Sequence, residues 1–231
     1  MGSRDSGSSD GGSTATTETT DSTSSTGTTD SGALEDPTCY SINEGVIPKG
    51  SDVTVDGLII TAVHPTMRSG LFFAQHPEGG EYSGCLLNTD GEVAAVGDEV
   101  SISGVAQMYG DSMSINATAG TFLVTGSVEP LGPEDVAFAT IADPVDSVPW
   151  NSVLVRVQGD MDPIEVTAVL PFAEYEASHG GVSLTLDNFI YTGGYQVGAT
   201  YTAITGNGRG GPEPALAART LADHEGYMPP P

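Results

Sequence analysis

Six basic residues face 31 acidic ones in this 231-residue chain, a formal charge of −25, so the basic face that polyphosphate recognition needs is missing and nucleic acid is disfavoured as a partner. No run of 18 or more apolar residues occurs, which leaves no segment for a membrane-spanning helix. The two cysteines have no C-x-x-C spacing and no adjacent histidine, which argues against zinc and against thiol catalysis.

Residues 1–36 are nearly all Ser, Thr, Gly, Asp and Glu, too poor in apolar groups to offset the entropy of ordering, and read as a disordered linker. The Met1-Gly2-Ser3 start before this polar tract resembles a mature lipoprotein in which Met stands for the acylated cysteine; an unlipidated start is the alternative. The expectation is an exported protein at the extracellular or outer-membrane surface, touching the membrane through an N-terminal lipid anchor alone.

The folded part reads as two β modules, residues 37–126 and 127–231. The stretch that starts Val96-Gly97-Asp98-Glu99-Val100 is echoed by the one that starts Val197-Gly198-Ala199-Thr200-Tyr201: a Val-Gly turn, an alternating strand and a closing glycine. In the first module residues 53–63 predict a long strand that bends or bulges at Gly57. Strands are expected at 70–75, 83–88 and 96–107, with 113–115 and 121–124 supplying a fifth. Prolines at 130 and 133 mark the boundary. In the second module strands are expected at 150–159, 172–177, 182–191 and 197–206, with a last strand or short turn near 216–223. Cys39 lies just ahead of the first module and Cys85 in a strand; a disulfide between them would pin the incoming segment to the sheet, and two separate buried thiols are the alternative. The fold class expected is all-β, two consecutive five-stranded barrels.

The residues Val53 to Gly57, Gly70 to Gln75, Tyr82-Ser83-Gly84 and Val96 to Gly104 resemble the OB-fold modules of secreted bacterial proteins, which accompany extracellular nucleases. The second half, from Trp150 to Val157 and Tyr201 to Gly206, resembles a partner module found in tandem in surface lipoproteins of myxobacteria-like organisms. These residues mark turns and strands; the family's nuclease chemistry belongs to separate domains.

OB modules bind oligomers through aromatic platforms. The candidate platforms here are Phe72, Phe73, Tyr82 and Tyr109 in the first module and Trp150, Tyr175, Phe189, Tyr191, Tyr195 and Tyr201 in the second. Tyr191 and Tyr195 flank Thr192-Gly193-Gly194, a loop in which exposed tyrosines are expected. Tyr191, Tyr195, Tyr82 and Tyr109 are therefore the candidate ligand-binding residues. Asp143, Asp146, Asp160 and Asp162 are candidate calcium ligands, although their spacing matches no EF-hand loop. The four histidines are scattered, and no nucleophile elbow, P-loop or dinucleotide fingerprint occurs. The favoured function is a non-enzymatic, exported or surface-tethered binding and assembly module for a protein or a glycan, with no cofactor except calcium. The alternative is an accessory pair for an extracellular hydrolase that degrades nucleic acid or polysaccharide.

Overall fold

The computed structural model describes residues 37–66, 70–110, 112–159 and 161–231. The linker and lipid-anchor expectations for residues 1–36 lie outside the described residues.

The described residues are all-β, with two five-residue α-helices among them, α1 (Cys39–Asn43) and α2 (Phe138–Ala142). Strands β1 (Asp52–Val63), β2 (Leu71–Gln75), β3 (Gly84–Asn88), β4 (Asp98–Tyr109) and β5 (Ser112–Ser127) form a closed barrel in the order β1-β2-β3-β5-β4. Every pairing is antiparallel except β3 with β5. The first part of β1 pairs with β4 and its last part with β2, and the register slips between Val55 and Leu58, around Gly57. That bulge lets one strand serve both sides of the barrel. The two fragments expected for a fifth strand are one continuous β5.

The second module differs from the expected five-stranded barrel. It is an open sheet that curls into a half-barrel, built from β6 (Glu134–Ala137), β7 (Leu154–Gln158), β8 (Ile164–Val169), β9 (Tyr175–His179), β10 (Val182–Leu186), β11 (Thr200–Tyr201), β12 (Ala203–Arg209) and β13 (Ala215–Ala217), with β14 (His224–Glu225) on β12. The strand expected from 150 is shorter: Trp150 lies in a 3-10 turn, and the ladder breaks before Pro163, which has no N–H to give, then resumes as β8. Likewise Phe172 stands in a 3-10 turn, 88% exposed, and β9 starts at Tyr175. Strand β10 stops at Leu186, so Tyr191 lies in the loop that follows. Pairing repeats that of the barrel: β8–β9, β9–β10, β12–β13 and β7–β12 are antiparallel, and β10–β13 is parallel.

Strands β2 and β3 are buried on both faces. Phe72, Ala74, Cys85 and Leu87 fill the barrel. On the opposite face, Ala62, Phe73 and Leu86 pack with Phe189, Ile190 and Ala217 of the second module. Three polar side-chain contacts cross this junction. The Leu154 amide donates to Gln75 Oε1 at 2.9 Å, Asn207 Nδ2 to Thr61 Oγ1 at 2.9 Å, and Ser112 Oγ to Asn151 Oδ1 at 2.9 Å. At Gly84 the two backbones meet, because a Cβ there would lie against Ser152 and Val153.

A Cys39–Cys85 disulfide ties α1 to β3 across a separation of 46 residues, with Cα atoms 5.6 Å apart. Reduction or a Cys39→Ser/Cys85→Ser double change is expected to cost about 4 kcal/mol on the chain-entropy account and to lower Tm by roughly 10 °C, read by calorimetry. Gly84→Ala should cost about 1–3 kcal/mol by overpacking the junction. Its mark is loss of stability in both modules, so an unchanged melting curve would contradict the close approach described.

Candidate functional site

One loop, a short strand and the C-terminal segment build an aromatic hollow at one end of the second sheet. The β10–β11 loop supplies Tyr191, Gly194 and Gln196, β11 supplies Tyr201, and the residues after β13 supply Leu221, His224 and Tyr227. The hollow holds about 410 Å³. Its placement follows from local chemistry. The Tyr191 ring folds back over Gly193, where any Cβ would collide with it. Thr220 and Asp223 cap each other around the 3-10 turn Leu221–Asp223, and β14 then pairs with β12, which sets His224 over the sheet.

Ring contacts, tilted or edge-on, join the walls. Tyr191, Tyr195 and Tyr201 all lie within 5.4 Å of the His224 ring, centroid to centroid, and Tyr201 lies 5.6 Å from Tyr227. Tyr195 lies behind the lining: it is 7% exposed, and its hydroxyl meets His224 Nε2 at 2.9 Å. His224 Nδ1 faces the Leu221 carbonyl at 3.3 Å, so the neutral tautomer with hydrogen on Nδ1 satisfies both contacts, the Tyr195 hydroxyl donating to Nε2. Burial lowers the His224 pKa against the opposing pull of the Leu221 carbonyl and Asp223. Burial raises Tyr195, helped by Tyr201 and Tyr191, and pushes Tyr201 up to about 12. The hollow is thus uncharged at neutral pH, with phenol hydroxyls and the Gln196 amide as its polar groups. Tyr227 donates to Gln196 Oε1 at 3.1 Å.

Nearby charges are paired with one another. Arg219 forks onto Asp223, and Arg156 bridges Glu225 and Asp135. Burial alone would raise Asp223, but hydrogen bonds and charge from Arg219, with the Thr220 amide, outweigh it and hold the carboxyl below its usual range. Arg209 is paired with the buried Asp187. All three described arginines therefore hold carboxylates of their own chain.

The four sequence-selected tyrosines separate. Tyr191 lines the hollow, but Tyr195 is core rather than exposed, since the loop folds inward and its ring closes the open end of the half-barrel. Tyr82 is half-buried in the β2–β3 turn, its amide bonded to the Pro149 carbonyl at the junction, and Tyr109 is exposed at the β4–β5 hairpin. Neither lines the hollow. Phe73 of the candidate platform is covered by the second module. Tyr227, His224 and Gln196 were not singled out in the sequence; their only signal is aromatic and amide residues near two turns.

Among the described residues no group of three His, Cys, Asp or Glu side chains is placed to hold a metal ion. Asp143 accepts hydrogen bonds from the Val145 and Asp146 amides at 2.8 and 3.0 Å, and these, Asp146 first, lower its pKa, so its carboxylate closes a turn. Asp162 lies in the separate β7–β8 turn, and Asp160 lies outside the described residues. Comparison with known proteins finds no family model, no curated protein and no solved structure that matches the chain.

The lowered His224 value predicts the direction of a pH effect. Its contribution to stability is intact above about pH 6.5, the unfolded value, and is lost as pH falls from there through the lower native value. His64, also lowered by burial, acts in the same sense. Melting temperature should therefore fall on acidification below 6.5, and less steeply in His224→Phe. An identical slope in the variant would contradict the neutral His224–Tyr195 pair.

Proposed function

We propose that the chain is a non-enzymatic, exported module pair that binds a glycan in the Tyr191–Tyr201–Tyr227–His224 hollow. The observation that carries this reading is the hollow's chemistry: the exposed Tyr227 ring beside the half-buried Tyr191 and His224 rings, phenol hydroxyls and one primary amide, with Asp223 and Glu225 both paired to arginine. A pyranose ring has the matching character, with C–H faces to stack and hydroxyls to bond. The hollow's two hydrogen-bonded histidine nitrogens leave no free base there, which favours binding over turnover.

We read both sheets as OB-type modules. The support is the strand order first-second-third-fifth-fourth with a parallel third and fifth strand, traceable in both halves. On that reading, the face formed by the second and third strands, which OB modules use for ligands, is occupied in the first module by the second. The Ser/Thr-rich composition of residues 1–36 suits a spacer, and display at a bacterial surface, by a lipid anchor or otherwise, is part of the proposal.

An accessory role beside a polysaccharide hydrolase would use the same hollow. A nuclease accessory is less well supported, because the described arginines are committed to internal pairs.

Titration against oligosaccharides from an envelope or capsule tests the reading. Tyr227→Ala and Tyr191→Ala are expected to weaken binding about three- to tenfold each, roughly 0.7–1.4 kcal/mol, with little dependence on salt. Binding that survives both changes, or that collapses with salt, would contradict it.

A further inference from the structure

Asn116-Ala117-Thr118 is an acceptor triplet for N-linked sugar, an asparagine with a hydroxyl residue two places on and no proline between, and it occurs once in the chain. Its place in the fold leaves it open. Along β4, Asn116 pairs with Val105 and Thr121 with Ser103, so residues 117–120 stand against Gly104 alone. Four residues opposite one bow the strand out of the ladder. Thr118, Ala119 and Gly120 are exposed there, and Asn116 is half-buried.

The triplet is closed into a turn by its own side chains. Asn116 Oδ1 accepts from the Thr118 amide at 3.0 Å and from the Thr118 hydroxyl at 2.8 Å. Both bonds fall on the oxygen. The nitrogen Nδ2 is left as the free end of the side chain, and it gives no hydrogen bond to the described residues. Asn116 opens into a trough of about 500 Å³ whose other walls include Thr54, Ser103, Gly104, Thr118 and Gly120. Small side chains keep this trough shallow, and its polar groups are chiefly hydroxyls, those of Thr54 and Ser103 bonded to each other at 2.9 Å. Asp52 is the one carboxylate in its lining.

We propose that Asn116 is an N-glycosylation site whose first sugar lies in this trough. Nδ2 forms a bond to C1 of a sugar activated on a polyprenyl diphosphate. The bond from C1 to the diphosphate oxygen breaks, the diphosphate leaves with the electron pair, and the amide gives one proton to a base of the transferase. The Cys39–Cys85 disulfide fits a chain that matures in an oxidising compartment outside the cytosol, where sugars carried on membrane lipids are transferred. The hydroxyls of the trough then answer the hydroxyls of the attached pyranose. This site is independent of the aromatic hollow: it belongs to the first module and stands even if the hollow binds nothing.

Mass spectrometry of the full chain, recovered after export from its own cells, tests this. The expected result is a peptide containing Asn116 that carries whole sugar residues and that peptide N-glycanase converts to aspartate at 116. Asn116→Gln and Thr118→Ala should each abolish the added mass, and Thr118→Ser should keep it. Because position 118 is exposed, both Thr118 variants should melt within a few degrees of the unchanged chain, which separates loss of the acceptor from loss of the fold. Enzymatic removal of the sugar should speed hydrogen exchange at amides 118–120 about threefold or more. The proposal is overturned by an exported chain whose Asn116 is bare, by added mass that survives Thr118→Ala, by sugars confined to the serines and threonines of residues 1–36, or by exchange at 118–120 that ignores the sugar.

Discussion

Much of this structure depends on one contact, the burial of Phe73, Leu86 and Ala62 against Phe189, Ile190 and Ala217. It makes β2 and β3 interior strands on both faces, and so explains why residues 71–74 and 84–87 read as unbroken apolar runs rather than alternating ones. It also draws polar groups into a place without solvent, and each of Gln75, Thr61 and Asn151 has a partner from the other side. A ladder amide answered by a glutamine side chain is a register lock: sliding one module over the other would orphan the Leu154 N–H.

The same contact decides which aromatic residues stay uncovered. With the outer face of β2 and β3 covered, the largest aromatic concentration lies at the far end of the second sheet, where the 187–199 loop and the C-terminal residues close the half-barrel. Electrostatics there is settled internally. Arg219 and Arg156 neutralise the two carboxylates that flank His224 in sequence, so a strongly acidic protein presents an uncharged hollow.

The first barrel was largely legible in the sequence because its signals are local: Gly57 in a long apolar strand, the Asp90-Gly91 turn, and the Val96-Gly97 turn before the fourth strand. The Val197-Gly198 echo marks the equivalent turn in the second module. The breaks in that module were not legible. Strand β7 ends at Gln158 as expected to within a residue, but β8, which begins directly after Pro163, alternates too briefly to stand out from a loop. Exposure of Tyr195 was misjudged because glycine-rich loops are normally open, whereas this one folds inward to plug the sheet. Tyr227 and His224 join Tyr191 only through pairing between β12 and β14, which no short-range pattern encodes.

The closing pairs of both sheets are parallel and distant in sequence, β3 with β5 and β10 with β13. Such loops must be closed before their contacts reward the chain, so the folding rate is limited by topology rather than by propensity. Phe73 and Leu86 have no cover until the second sheet has curled, and the second sheet has no floor until β1–β3 have paired. The search for the native state is therefore shared, and neither half has a finished surface while it waits for the other.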